Sequence, residues 1–348
     1  MRVRVAGDSE DNDFRTDFDL NETFVGRGGD DSFLISWYEE RDRFIGGPGK
    51  DTLKMDYFRL GEYGQIADLN RAIWFDGGIG IDRIEYKVIY TPESHSIDLN
   101  AFGGTLNSVE QFYYLLTDHQ SWGEPTASAR FDVTGTNRGE EITLSFGHRM
   151  NDHLVTTLSA GGGNDKIELY GGHYDTLVIN GGAGSDRIQV HNVLRDPTES
   201  DLIIRGGAGN DKIYYTATGG KVYGGDGRDM FLMSAMSMHA EGPATVYRGG
   251  KGADTFVLWK ANFADQVGAT IRGFGAKDKL VLTDTYVGSM EAVSLFPTNP
   301  RSYMEYNPIT GLLNLSGSDV VQFTPGTILT PGQVSVVDAD VIADYFFL

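Results

Sequence analysis

Single apolar residues recur at a fixed place along much of the chain, two positions after an aspartate that ends a glycine-rich stretch. These residues are Leu53, Ile84, Ile167, Ile188, Ile213, Phe231 and Phe256. An apolar residue in this setting is typical of a short β-strand that points one side chain into a core. One repeat cannot bury that side chain alone, whereas a stack of repeats can. The pattern predicts an all-β fold of stacked turns around a thin apolar core.

The glycine-rich stretches form an internal repeat of the form Gly-Gly-x-Gly-x-Asp-x-apolar, which has eight copies. Six copies keep all three glycines, at residues 46–53, 77–84, 181–188, 206–213, 224–231 and 249–256. The copies at 26–33 and 160–167 each have one glycine replaced, by Arg27 and Ala160. Repeats of one short unit predict a solenoid in which each copy contributes part of a turn.

The spacing of the motif aspartates indicates how the chain winds. Among the close steps, the shortest runs from Asp211 to Asp229, and one of the longest runs from Asp186 to Asp211. Weaker copies fall between the full ones, at 151–154, 174–177 and 200–203. The interval from Asp13 to Asp31 equals the interval from Asp211 to Asp229, which indicates a degenerate first turn near the N-terminus. We therefore expect a flattened coil with two strands per turn, a full loop at one edge and a degraded loop at the other.

The composition of each loop suits a hard cation. Glycines permit positive φ angles and a close approach of neighbouring backbones, and tight turns expose carbonyl oxygens. Carbonyl and carboxylate oxygens are the ligands of Ca²⁺, which takes six to eight of them in flexible geometry. Stacked turns would bring two loops together with an ion between them. The alternatives are ordinary glycine turns and a phosphate-binding loop, and the latter needs a single strand–loop–helix unit rather than eight tandem loops.

The charge and the cysteine count exclude several functions. The chain has 29 Lys and Arg against 49 Asp and Glu, a net charge of −20, which argues against a binder of nucleic-acid backbones. Cysteine is absent, so disulfides, zinc–thiolate sites, iron–sulfur clusters and cysteine nucleophiles are excluded. No run of 18 apolar residues is present, so no membrane-spanning helix is predicted.

With these repeats the sequence resembles the RTX, or haemolysin-type, calcium-binding repeat proteins of bacteria. The resemblance is closest over 160–258 and extends over 26–86. It implies a calcium-binding parallel β-roll with a C-terminal β cap and several Ca²⁺ ions between successive loops. For the two copies with the shortest step, it implies that one set of residues meets another, namely Gly206, Ala208 and Asp211 with Gly225, Gly227 and Asp229.

Across all copies we expect the calcium ligands to come from the aspartates and from the loop backbone beside them. The candidate metal residues are Gly29, Asp31, Gly46, Gly47, Gly49, Asp51, Asp82, Gly161, Gly163, Asp165, Gly181, Gly182, Ala183, Gly184, Asp186, Gly206, Gly207, Ala208, Gly209, Asp211, Gly224, Gly225, Asp226, Gly227, Asp229, Gly250, Gly252 and Asp254. Asp82 ends a block of repeats, and the next motif aspartate along the chain is the distant Asp165, so the partner loop of Asp82 is not evident from the sequence.

The resemblance also suggests a division of the chain. We expect an N-terminal repeat block at 1–56, a degenerate linking segment at 57–132, the main roll at 133–260 and a C-terminal cap at 261–348. Within the cap, residues 269–274 and 277–282 resemble closing strands, and 306–312 resemble a hairpin. The last residues, 344–348, resemble a type I secretion signal, although they could instead form a last strand of the cap.

These features together predict a secreted protein of a Gram-negative bacterium, exported through type I secretion machinery without a cleaved N-terminal signal. Because the chain is acidic and rich in glycine, it should stay unfolded without calcium and fold once metal binds outside the cell. The zinc-protease motif H-E-x-x-H and the nucleophile motif G-x-S-x-G are absent, and no catalytic residue is predicted.

Three functions remain open from the sequence. We favour a non-enzymatic exoprotein that adheres to glycans, to cells or to itself. A polysaccharide lyase or epimerase could be built on the roll, with Arg187, Arg205, His191 and Tyr214 as available side chains. A noncatalytic remnant of a secreted metalloprotease is the third. Aromatic residues of 57–132, such as Trp74 and Phe75, could stack on sugars or pack in a core.

Overall fold

A computed structural model describes residues 2–16, 21–35, 42–59, 74–89, 95–98, 109–117, 129–146, 154–191, 193–195, 201–216, 219–233, 244–258, 268–283, 304–315 and 318–337. The chain forms two compact units, Met1–Thr176 and Leu177–Leu348. The described residues are β-strands, loops and one 3-10 turn at Pro331–Gln333. No helix that could span a membrane is found among them.

The strands of the first unit are short and alternate along the chain between two sides of a roll. Their bounds are β1 (Arg2–Ala6), β2 (Asp13–Arg15), β3 (Asn21–Val25), β4 (Ser32–Ile35), β5 (Arg43–Gly49), β6 (Thr52–Arg59), β7 (Trp74–Gly80), β8 (Asp82–Ile89), β9 (His95–Asp98), β10 (Val109–Thr117), β11 (Ala129–Thr134), β12 (Glu141–Phe146), β13 (Leu154–Gly162) and β14 (Lys166–Tyr170).

The pairings in this unit join parallel strands of successive turns. One side of the roll runs β2-β4-β6-β8-β10-β12-β14. The other side runs β1-β3-β5-β7 and then β9-β11-β13. Strands β8 and β10 continue the first sheet without a break, so the roll extends into the predicted linking segment.

The second unit repeats this plan. The strands are β15 (His173–Ala183), which contains the boundary between the units, β16 (Arg187–His191), β17 (Leu194–Arg195), β18 (Asp201–Ala208), β19 (Lys212–Tyr215), β20 (Lys221–Gly227), β21 (Met230–Met233), β22 (Thr245–Gly252), β23 (Thr255–Leu258), β24 (Ala269–Ile271), β25 (Lys279–Thr283), β26 (Met304–Asn307), β27 (Leu312–Leu315), β28 (Ser318–Phe323) and β29 (Val334–Val337).

Its two sheets end in a cap. One side runs β16-β19-β21-β23-β25-β29, and the other runs β15-β18-β20-β22-β24-β28. The second side ends in antiparallel strands, because β28 pairs with β27 and β27 pairs with β26. The predicted hairpin at 306–312 is the turn between β26 and β27. Each unit is thus a parallel β-roll, and the predicted fold class, with its C-terminal β cap, is confirmed.

The core lies between the two sheets of each roll and holds the predicted apolar residues. Leu53, Ile84 and Ile167 in the first unit, and Ile213 and Phe231 in the second, are fully buried. The rings in successive turns stack along the roll axis, as shown by Phe24 and Phe44 at 5.5 Å and by Phe231 and Phe256 at 4.9 Å between centroids. Folding removes the apolar surface of these side chains from water, and this burial supplies most of the apolar stabilisation of each turn.

Phe75 and Phe112, two aromatic residues of the predicted linking segment, belong to this core. Phe75 is fully buried and Phe112 is 1% exposed. Trp74 lies in the outward row of its strand, where Arg43 contacts its ring at 5.2 Å. Phe75 and Phe112 therefore pack inward, whereas Trp74 and Tyr113 are half-buried beneath the guanidinium groups of Arg43 and Arg83.

The structure corrects two details of the predicted winding. Residues 174–177 lie inside strand β15 instead of forming a loop, since Tyr174 is fully buried and the turn is made by Gly171 and Gly172 just before the strand. The predicted degenerate first turn is present. Because β2 pairs Asp13 with Ser32, the residue beside the motif aspartate Asp31 is Asn12 and not Asp13. Residues 151–153 and 344–348 lie outside the described residues.

Candidate metal centre

The full copies of the repeat all lie at the edge of the roll where a strand of one sheet passes to a strand of the other. The loop at 46–51 joins β5 to β6, and the loop at 206–211 joins β18 to β19. The candidate metal residues from Gly29 to Asp254 lie at this kind of edge in their own units. Strands pair in register within each unit, so equivalent loop positions of successive turns lie side by side.

The motif aspartates form a ladder of hydrogen bonds along this edge. In the second unit, the backbone N–H of Asp211 donates to Oδ1 of Asp229 at 3.0 Å, and Asp229 donates in the same way to Asp254 at 3.0 Å. In the first unit, Asp31 donates to Asp51 and Asp51 donates to Asp82, each at 2.9 Å. One carboxylate oxygen per aspartate therefore fixes the spacing between two turns.

The second carboxylate oxygen of these aspartates has no hydrogen-bond partner in the part of the chain that the structure describes. Oδ2 is buried in this way in Asp31, Asp51, Asp82, Asp211, Asp229 and Asp254. Each of these six side chains is at most 1% exposed. A buried anionic oxygen without a donor is costly, and in proteins such an atom is normally paired or bound to a metal.

Each of these oxygens folds back over the first glycine of its own loop. A Cβ atom on Gly206 would lie 2.2 Å from Oδ2 of Asp211, and one on Gly224 would lie 2.2 Å from Oδ2 of Asp229. A side chain at the first loop position would displace the carboxylate. The first glycine is thus required by the aspartate five residues later, which explains why the two recur together.

The second and fourth loop positions bring carbonyl oxygens close to the next turn. A Cβ atom on Gly225 would lie 1.9 Å from the carbonyl oxygen of Gly207, and one on Gly227 would lie 1.7 Å from that of Gly209. Both glycines also have positive φ, +123° and +142°. The loops therefore stack backbone on backbone, with carbonyl oxygens at a density that no larger residue would allow.

The pair of loops with the shortest step shows how the predicted residues meet. Gly207 pairs with Gly225 and Ala208 with Asp226, and the N–H of Gly209 donates to the carbonyl oxygen of Asp226 at 2.7 Å. The two loops named by the sequence are therefore neighbours in register, but the predicted order of their carbonyl oxygens is wrong. Those of Gly206 and Ala208 face the preceding loop, and those of Gly207 and Gly209 face the loop at 224–229. The side chain of Asp226 is exposed and pairs at 2.9 Å with Lys251 of the following loop, so the backbone of Asp226, and not its carboxylate, faces the loop at 206–211.

Side chains alone do not form a metal site at this edge. Within the described residues there is no group of three or more His, Cys, Asp or Glu side chains that could hold an ion. A cation between two loops would take aspartate Oδ2 atoms together with backbone carbonyl oxygens. That donor set of hard oxygens fits Ca²⁺ and does not suit a softer transition metal.

Burial changes the protonation of the ladder in the absence of a cation. Loss of hydration raises the pKa of Asp51 and of Asp211 to about 6, and that of Asp82 and Asp229 to about 7. The neighbouring aspartate of the ladder raises each pKa further, whereas the backbone hydrogen bond lowers it. The site therefore disfavours negative charge until a positive charge enters it.

Three further carboxylates complete the ladder and were not identified from the sequence. Glu110 accepts the N–H of Asp82 at 2.9 Å, so Asp82 has a partner in the next turn. The N–H of Glu140 donates to Oδ1 of Asp165 at 2.8 Å, and Asp278 accepts the N–H of Asp254 at 3.0 Å. The Gly-Thr pair at 135–136 was the available signal for Glu140, because Thr136 donates to its carboxylate.

Glu140 and Asp278 differ from the motif aspartates in one respect. Thr136 donates to the carboxylate of Glu140, and the N–H of Gly275 donates to Oδ2 of Asp278 at 2.7 Å. Both carboxylates therefore have a protein donor where the described motif aspartates above have none for Oδ2. At Asp278 the protein itself supplies the donor that a cation would replace elsewhere, whereas burial still raises the pKa of Glu140 to about 8 despite the hydrogen bond from Thr136.

A comparison with protein families finds a match at one of the loops. The RTX calcium-binding nonapeptide repeat (4 copies) matches residues 203–217, which include the loop at 206–211 and strand β19. A search of curated proteins finds no match. The predicted resemblance is thus confirmed at the repeat that contributes Asp211 to the ladder of the second unit.

Proposed function

We propose that this chain, which carries RTX calcium-binding nonapeptide repeats, is a secreted, non-enzymatic binding protein whose roll is completed by Ca²⁺ ions between successive loops. Calcium is the cofactor that such repeats bind. The finer parts of the proposal are the residues that hold the ions, the dependence of folding on calcium, export from the cell and adhesion to glycans, cells or matrix.

The observation that carries the proposal is the row of buried Oδ2 atoms without a hydrogen bond among the described residues. In the second unit, Oδ2 of Asp211 and of Asp229 lies within loops whose glycines crowd carbonyl oxygens against one another. One Ca²⁺ ion between these loops would take Oδ2 atoms and the carbonyl oxygens that the two loops direct toward each other. These are the oxygens of Gly207 and Gly209 in the first loop and of Gly224 and Asp226 in the second. The ion would neutralise the carboxylates that burial disfavours as anions.

Calcium would then act as a switch for folding. The chain carries a net charge of −20 and 46 glycines, so an unfolded chain repels itself and has a high conformational entropy. Because the paired loops exist only in the folded roll, the free energy of metal binding adds to the free energy of folding. Each site held at ten times its Kd adds about 1.4 kcal/mol.

The proposed site of action is outside the cell, where calcium is abundant. Extracellular calcium modules have Kd values of about 10⁻⁴–10⁻³ M, which keeps them empty at cytosolic calcium concentrations and filled outside. A binding role is favoured because the repeats make up most of both rolls. No observation favours the lyase, the epimerase or the protease remnant over it.

The test is a calcium titration of the full chain followed by far-UV circular dichroism. The proposal predicts little β-structure in a calcium-free buffer and a cooperative gain of β-structure as calcium reaches the millimolar range. The variant Asp211→Asn should need several times more calcium. Asp201→Asn, which removes an exposed aspartate from the same stretch of chain, is the matched control and should titrate like the wild type. A β-spectrum independent of calcium would overturn the proposal.

A further inference from the structure

The outward face of one sheet in the second unit carries a row of arginines. Arg205 (β18), Tyr223 (β20) and Arg248 (β22) lie side by side in register. Arg272 follows Ile271, which pairs with Tyr247, so it continues the row beside Arg248. We refer to Arg205, Tyr223, Arg248 and Arg272 as the arginine row. Adjacent strands are about 4.8 Å apart, so the row is about 14 Å long.

The row faces solvent because the residue before each member is in the core. Ile204, Val222, Tyr247 and Ile271 are at most 3% exposed, and side chains alternate between the two faces of a strand. Arg205, Arg248 and Arg272 are exposed, and Tyr223 is half-buried. The four strands carry no Asp or Glu at the two outward positions before the loop, and Lys221 adds a further cation there.

Among the described residues, the arginines of the row are not neutralised by neighbouring acids. Elsewhere, cations pair with carboxylates, as Arg83 does with Glu85 at 2.8 Å and Lys251 with Asp226 at 2.9 Å. No described carboxylate forms an ion pair with the row. The polar contact of Arg205 is a hydrogen bond to Oδ1 of Asn180 at 3.2 Å. Such a cluster of guanidinium groups in a chain of charge −20 needs an explanation of its own.

Tyr223 holds two of these groups in a defined arrangement. The guanidinium carbon of Arg205 lies 5.9 Å from the centre of its ring, and that of Arg248 lies 5.8 Å from it. The two arginines come from the strands on either side of β20, so the ring lies between them. Stacking on an aromatic ring orders a guanidinium group while leaving its N–H groups free to donate.

A strip without side chains runs next to the row. Gly207, Gly225 and Gly250 lie in register on the same three strands, two residues after the row. Their backbones stack directly on one another, so no side chain of these glycines covers the ordered arginines. A narrow chain could lie along this strip with its acidic groups against the row, whereas a wide duplex or a membrane would need a broader basic surface.

We propose that the arginine row binds a linear carboxylated polysaccharide that lies along the roll axis. Arginine donates two parallel hydrogen bonds to a carboxylate, which makes it the side chain of choice for this group. The net charge of −20 disfavours the denser charge of nucleic acid. This inference deepens the proposed binding role and rests on it, because it names the ligand class and the surface of a calcium-loaded roll.

The test uses the full chain in millimolar calcium and measures binding by isothermal titration calorimetry. The probe is an oligogalacturonide too short to gel with calcium, and its methyl ester is the uncharged counterpart. Binding of the acid and not of the ester is expected. Arg248→Gln and Arg272→Gln should each weaken binding about tenfold, since each removes a charged hydrogen-bond donor. Tyr223→Leu should weaken binding while all charges remain.

The matched control is Lys279→Gln, which removes one exposed cation from the other sheet of the same unit and should change affinity less than twofold. Equal binding of acid and ester, equal loss with Lys279→Gln, or no binding would overturn the inference. Tighter binding of single-stranded DNA would assign the row to nucleic acid and would also overturn it. Circular dichroism of the same samples shows whether calcium folds the chain, so failure of the row is distinguished from failure of the proposed calcium role.

Discussion

Asp211 and Asp229 are joined by a hydrogen bond from the backbone N–H of the first to Oδ1 of the second at 3.0 Å, and Oδ2 of Asp229 stays buried without a donor among the described residues. The same carboxylate thus has a structural oxygen and an oxygen that is available to a cation. This division of roles recurs along the ladder, and it separates effects on folding from effects on calcium binding.

Replacement of Asp229 by asparagine tests the free oxygen. Asparagine can keep the acceptor for the N–H of Asp211, but it places an uncharged amide where Oδ2 lies. We expect a marked rise in the calcium concentration at the folding midpoint and the loss of at least one ion from the stoichiometry measured by calorimetry. An unchanged stoichiometry would show that Asp229 binds no calcium.

Asp278→Asn provides the complementary case. Oδ2 of Asp278 already accepts the N–H of Gly275 at 2.7 Å, so an amide group there would place a donor against a donor. We expect a loss of stability of about 1–3 kcal/mol in saturating calcium with no change in the number of ions bound. Urea unfolding and calorimetry on the same variant measure the two quantities. A lost ion would indicate that the cap residue also binds metal.

Gly225→Ala tests the close stacking of loops. The new methyl group would overlap the carbonyl oxygen of Gly207, and the residue would keep a φ of +123°, so a loss of about 2–5 kcal/mol is expected. Gly273→Ala has a φ of +76° but open space, and should cost about 1–2 kcal/mol. Gly332→Ala has neither problem and should lie within about 0.5 kcal/mol of the wild type. Similar losses in all three would contradict the stacking.

The raised pKa values predict an unusual dependence on pH without calcium. Burial raises the pKa of Asp51 and Asp211 to about 6 and that of Asp82 and Asp229 to about 7 in the folded roll. The folded state then binds protons more tightly than the unfolded state. The stabilising contribution is full below the ordinary aspartate pKa of 3.8 and is lost as pH rises through 6 to 7.

The calcium-free chain should therefore become more ordered as pH falls from 8 to 5, whereas calcium affinity should fall over the same range because protons compete for the carboxylates. Far-UV circular dichroism of metal-free protein and calcium titrations at each pH test both trends. A calcium-free chain that loses structure on acidification would contradict this account.

Phe231→Ala tests the apolar stack independently of the metal. Phe231 is fully buried and stacks on Phe256 at 4.9 Å. A cavity of this kind typically costs about 3–5 kcal/mol. The calcium stoichiometry of the folded variant should stay that of the wild type, which urea unfolding in saturating calcium and calorimetry can establish together.

The sequence was sufficient to predict the features that one repeat contains within itself. The apolar residue two positions after each aspartate is in the core, as Leu53 and Ile213 show, and the loop glycines lie where a Cβ atom would collide. These features are local, because one turn of backbone sets both the glycine conformation and the inward direction of the strand that follows. The confirmed β-roll follows from repeating them.

Features that depend on contacts between distant turns were not predictable. Glu110 takes the place of a motif aspartate 28 residues after Asp82 without a glycine loop before it. Glu110 needs only to place a carboxylate oxygen near the N–H of Asp82, and many different sequences could do so. Likewise, the arginine row exists because β18, β20 and β22 align in register, although the chain between them differs in length. Asn12 is a further example, because the register between β2 and β4 places it, and not the predicted Asp13, beside Asp31.

The most direct test of the account is X-ray diffraction from crystals of the full chain grown in calcium. We predict anomalous density between the loops at 206–211 and 224–229, within about 2.3–2.6 Å of an Oδ2 atom of Asp211 or Asp229 and of loop carbonyl oxygens. Density that refines as water at saturating calcium, or calcium bound only at the loop surface, would contradict the claim that these loops hold the metal.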